Sequence, residues 1–155
     1  MKKSDDAAKK DPIEAKLKEL KSLFKDYEAL KKEYDLTEEQ LTTKAIMQRM
    51  GETLEGYIKI LIQLLQPEEF HSLHECTAFD DTEKEKIFDI YKNLMIAHRE
   101  LLKAEIKNDE KNNVSTIGYV NSELKRLKPD ILVIVNKMQE SWNKKLTKGK
   151  ERYFG

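Results

Sequence analysis

Apolar residues recur along most of this chain with helical rather than strand spacing. In residues 11–34, Ile13, Leu17, Leu20, Phe24, Tyr27 and Tyr34 follow a four-and-three alternation that only Lys31 breaks, while Leu23 and Leu30 widen the stripe. Such a stripe predicts a helix with one face on a partner and its Lys- and Glu-rich face in water. Asp11-Pro12 is a start signal, a capping acceptor followed by a residue whose missing N–H costs nothing in the first turn.

Residues 37–66 predict a second helix, about 40 Å long at 1.5 Å per residue. It opens on Thr37-Glu38-Glu39-Gln40, where a hydroxyl and a side-chain amide can cap reciprocally, and it closes at Pro67. Its first half carries one stripe. From Leu54 to Leu65 it is apolar on nearly every side, and such a helix must be buried all round. The connection between the first two helices is so short that they should form an antiparallel hairpin.

Residues 68–77 predict a short helical turn that reverses the chain. Asp80-x-x-Glu83 repeats the capping-box pattern and starts a third helix over about 81–108. Its seam is Ile87, Tyr91, Leu94, His98 and Leu101, widened by Phe88, Met95 and Leu102. The polar run 108–113 reads as a loop. From Ser115 a fourth pattern, Ile117, Val120, Leu124, Leu127, Ile131, Ile134, Val135, Met138 and Trp142, carries straight across Pro129. The expectation is one long helix kinked at Pro129, with two helices meeting there as the alternative. The β-branched run 131–135 would suit a strand, but the chain offers it no partner strand.

The elements add up to an all-α fold, an antiparallel up-down-up-down four-helix bundle with a short extra helical turn between helices two and three. Residues 1–10 lack periodicity and are expected to be a disordered tail. Residues 11–146 form a single domain, and 147–155 are a basic C-terminal tail.

Composition supports this and narrows the partners. Charged residues make up 37% and hydrophobic ones 39%, with only five Gly and three Pro, the balance of a long-helix protein. Lys plus Arg and Asp plus Glu both number 29, so no global field favours nucleic acid or an anionic membrane. No apolar stretch reaches the ~18 residues a membrane helix needs. The single cysteine, Cys76, excludes an intramolecular disulfide, and the charged N-terminus lacks the apolar core of a signal peptide. A cytoplasmic, reducing setting without membrane contact is the expectation.

Candidate chemistry gathers in Glu68-x-x-His71-x-x-His74-x-Cys76, which holds two of the three histidines and the one thiol. Imidazole and thiolate are ligands zinc prefers, so His71, His74 and Cys76 are candidate metal ligands. The spacing matches neither a zinc finger nor a helical His-Glu-x-x-His. In the plainer reading the histidines are turn residues and Cys76 is a small buried filler. His98 sits on the third seam with no nucleophile placed beside it, and it reads as a histidine donating to a carbonyl or carboxylate. Gly51 and Gly56 each cost their helix about 1 kcal/mol against Ala, which suggests close approach of another helix. Glu52, Glu55 and Glu105 read as solvated carboxylates paired along their helices.

Tyr153 and Phe154 end a tail rich in Lys, which could meet phosphates or dock into a protein partner. Apolar area beyond one stripe per helix, at Leu23, Leu30, Ile60 and Leu64, is the candidate partner surface. The functional expectation is a non-enzymatic protein-interaction or scaffolding module without a cofactor, binding a protein partner or a second copy by helix faces. The alternatives are a metal-binding protein or metal-dependent enzyme using His71, His74 and Cys76, and a nucleic-acid accessory protein using the tail.

Overall fold

The structure, a computed structural model, describes residues 27–37 and 42–144. The proposed start of the first helix, Leu23, and the tail with Tyr153 and Phe154 lie outside the described residues. Among the described residues every regular element is helical: α1 (Tyr27–Glu33), α2 (Thr43–Leu65), α3 (Phe70–Cys76), α4 (Asp81–Lys107) and α5 (Glu110–Asn143).

Helix ends follow local chemistry. After α1, Asp35 takes a left-handed φ of 47°. Leu36 N–H then donates to the Lys31 carbonyl at 3.0 Å and Asp35 N–H to that of Lys32 at 3.4 Å. This is the paired closure that usually uses glycine, with the following apolar residue, Leu36, buried. α2 begins later than the sequence pattern suggested. Its cap is Thr42, whose hydroxyl accepts from Ala45 N–H at 3.1 Å, rather than Thr37. Thr42 stands one residue ahead of the buried stripe Thr43, Ile46, Met47 and Met50, so helix and burial start together.

α4 opens on the expected box. Asp80 accepts from Glu83 N–H, and Glu83 accepts from Asp80 N–H, both at 2.8 Å. It ends at Asn108, in the left-handed conformation at φ 51°. Only Asn108 and Asp109 separate α4 from α5, so the expected loop over 108–113 is corrected. Asp109 caps Asn112 N–H at 3.2 Å, and the polar residues after it are already helical. Asn113 is buried, and with its side-chain amide turned over its nitrogen donates to the Ala104 and Asp109 carbonyls at 3.3 and 3.2 Å. α5 runs through Pro129 as a single helix, so two helices do not meet there. The β-branched run is helical too, with Ile131 and Ile134 buried and Leu132 and Val133 exposed.

α2, α4 and α5 pack on one another, and α3 packs on α2 and α5. Side-chain contacts fix their directions. Thr43 Oγ1 donates to Glu110 Oε2 at 3.1 Å, so α2 and α5 start at one end. Glu83 pairs with Lys137, so α4 starts at the other. The core is a continuous column including Met50, Leu54, Leu61, Leu94, Val120 and Leu124. α1 adds Leu30, Tyr34 and Leu36 to it, and Glu33 pairs with Lys128 of α5. Burial, with help from Glu33 and Tyr57, pushes the Tyr34 hydroxyl well above the usual phenol range. None of the helices among the described residues is long and apolar enough to cross a membrane.

Candidate functional site

The three proposed metal ligands occupy three different environments. His74 is buried, with Nε2 3.1 Å from the Ser141 carbonyl, to which it donates, and its ring lies 4.2 Å from that of Trp142. Trp142 in turn donates from Nε1 to Glu75 Oε1 at 2.8 Å. Together these contacts fasten α3 to the last turn of α5. His71 is exposed, its Nδ1 3.2 Å from Glu69 Oε2. Cys76 is half-buried at the end of α3. Among the described residues no three His, Cys, Asp or Glu side chains come together in a way that could hold a metal ion.

The proposed partner residues are also placed differently. Leu30 is only 2% exposed and Leu64 only 1%, so neither is surplus apolar surface. Ile60 is half-buried. In the second half of α2, Leu61 and Leu64 are sealed while Tyr57, Ile58, Ile60, Ile62 and Leu65 are half-buried, and α3, α4 and α5 all pack on this helix.

Exposed apolar side chains lie on both long later helices, Tyr119, Leu132, Val133, Val135 and Trp142 on α5 and a second set on the outward side of α4. The inward face of this helix is Ile87, Ile90, Leu94, Ala97, Leu101 and Ala104. Beside that face Phe88, the half-buried Met95 and Leu102 recur every seven residues, with Ile96 and Ile106 also on the outward side. Phe88 is 54% exposed, Ile96 44% and Ile106 82%. The Phe88 and Tyr91 rings lie 6.4 Å apart at the start of this row. From Phe88 to Ile106 it is about 27 Å long. A seven-residue repeat is the period that lets one helix follow another.

A groove of about 750 Å³ lies between α2 and α4, alongside this row. Met47, Gly51, Leu101 and Leu102 line it, with Glu52, Glu55 and Glu105 among its polar residues. His98 bridges it. Arg99 Nη1 donates to Nδ1 at 2.9 Å, which leaves Nε2 to donate to Glu55 Oε1 at 3.2 Å. The histidine is thus a cross-helix tie, as its position on the seam suggested. Space beside the glycines corrects the expectation of close helix approach. A Cβ on Gly51 or Gly56 would meet nothing within 4 Å.

The chain matches no family model, no curated protein and no solved structure. The site therefore rests on its own geometry. The titratable groups with shifted affinities along α4 and α5 have structural causes. Lys137, with the Asp80 N–H, holds the Glu83 carboxyl below its usual range. Burial, then Glu123 and Glu100, raises Tyr119. Glu123 raises Arg126. The outward face of α4 was hidden from sequence reasoning because Phe88, Met95 and Leu102 counted as a widening of the core seam.

Proposed function

We propose that this protein is a non-enzymatic helical-bundle interaction module that presents the outward face of α4 to another helix. The observation that carries this reading is the set of exposed apolar side chains Phe88, Ile96, Leu102 and Ile106 on α4, with the half-buried Met95 between them. Large contiguous apolar patches on a soluble fold mark contact surfaces. Helix-in-groove recognition uses anchors spaced by three, four and seven residues, as this row supplies. Within the same reading the architecture is the up-down-up-down four-helix bundle, with α1 as the end of its first helix and a bend in α5 at Pro129.

The test is cross-linked capture from the native cells with the wild-type chain and with F88E/I106E, whose changes touch no core position. The reading expects the captured proteins to be lost in the double variant while helix content is retained. Equal capture by both would overturn it.

A further inference from the structure

The outward face of α4 carries a charge pattern that specifies an occupant. In its first third, Asp81, Glu85 and Asp89 stand four residues apart and exposed. In its last third, Arg99, Lys103 and Lys107 repeat the same spacing, also exposed. A spacing of four advances slowly around a helix, so each set forms a ridge. The two ridges occupy the same flank, because eighteen residues, the offset from Asp81 to Arg99, is about five full turns. One flank of the apolar row is therefore acidic at one end of α4 and basic at the other.

We propose that this face binds a second copy of the chain, α4 against α4 and antiparallel about a two-fold axis crossing the helix near Met95. The inference rests on the reading of α4 as a docking surface and names its partner. In that arrangement the acidic ridge of each copy faces the basic ridge of the other, and both ends are satisfied by one symmetry operation. A parallel pair would set acid against acid and base against base, which is disfavoured. The antiparallel pair also lays the two macrodipoles head to tail. Lys103 holds Glu100 at 3.0 Å on its own helix, and Arg99 rests on His98. Exposed contacts of this kind are weak enough to be exchanged for pairing across the dimer. The apolar row supplies the attraction and the ridges supply register, a division familiar from paired helices.

The decisive experiment uses two charge-reversed full-length chains, E85K/D89K and K103E/K107E, alongside the wild type in sedimentation velocity across a concentration series. These positions are exposed, so circular dichroism should show all three equally helical. The wild type is expected to dimerise. Each variant alone should associate at least about tenfold more weakly, because its face is now nearly of one sign. An equimolar mixture should recover a heterodimer. A monomeric wild type at every concentration, a dimer indifferent to both variants, or a mixture that fails to re-associate would each overturn the proposal. If the second-copy proposal fails while F88E/I106E still loses its captured proteins, the interaction-module reading stands with a different partner.

Discussion

α2 and α4 look alike in length and apolar content, yet they end in opposite situations. α2 carries apolar residues on more sides in its second half, and Leu54, Leu61 and Leu64 are nonetheless sealed. α4 looks like an ordinary amphipathic helix, and it leaves Phe88, Ile96, Leu102 and Ile106 in solvent. The difference is the number of neighbours. α3, α4 and α5 all pack on α2, whereas α4 packs chiefly on α2 and α5 and turns one whole face outward. Surplus apolar surface is thus a property of where a helix sits, and an apolar residue is core or interface according to what its side of the helix faces.

The sharpest way to break this contrast is by truncation. Leu61→Ala, in the sealed column, should lower unfolding free energy by about 2–5 kcal/mol through lost contacts and a residual cavity. Ile106→Ala should change it by no more than about 0.5 kcal/mol when measured in the monomer. Urea unfolding at low protein concentration reads both, and comparable losses would erase the distinction between the two helices.

A smaller effect tests whether α4 is fixed locally. Asp80→Ala removes the side chain that accepts from Glu83 N–H, and it should cost about 1 kcal/mol. No measurable change in the urea midpoint would mean that packing alone sets the start of the helix.

The same capping box marks how much of the fold was readable beforehand. Asp80-x-x-Glu83 is a short-range signal, and it placed the start of α4 correctly. α2 was harder because Thr37 and Thr42 are both competent caps. Only the position of the buried stripe, beginning at Thr43, decides between them. The run from Asn108 to Asn113 reads as a loop by polarity, but Asp109 turns it into a helix start and Asn113 is buried within the first turns of that helix. His74 was legible as a candidate ligand and not as a tie to α5, because Ser141 and Trp142 lie far along the chain. The α4 face was legible in its spacing, but its exposure depends on neighbours that its own sequence does not name.

Substituting the α2 glycines sharpens the account of the groove in the opposite direction. With nothing within 4 Å of either added Cβ, Gly51→Ala and Gly56→Ala should each stabilise the fold by roughly 0.5–1 kcal/mol through helix propensity. A destabilised Gly56→Ala would show that something approaches α2 more closely than the structure has it.

The smallest effect is electrostatic. The Glu83 carboxyl is held below its ordinary value of 4.5 by Lys137 and the Asp80 N–H. A lowered folded value means that the stabilisation is present above the ordinary value and fades as pH falls through the folded one. Stability of the wild type should therefore decline below about pH 4.5, and Glu83→Gln should flatten that part of the profile. Identical acid profiles for the two proteins would remove the pair from the account.

The most direct measurement of the contrast between α2 and α4 is methyl chemical shift as a function of dilution. Signals of Met95, Ile96, Leu102 and Ile106 should move with protein concentration, while those of Leu54, Leu61 and Leu64 stay fixed. Movement of both groups together, or of neither, would contradict the assignment of the outward face of α4 as the surface that meets a second copy.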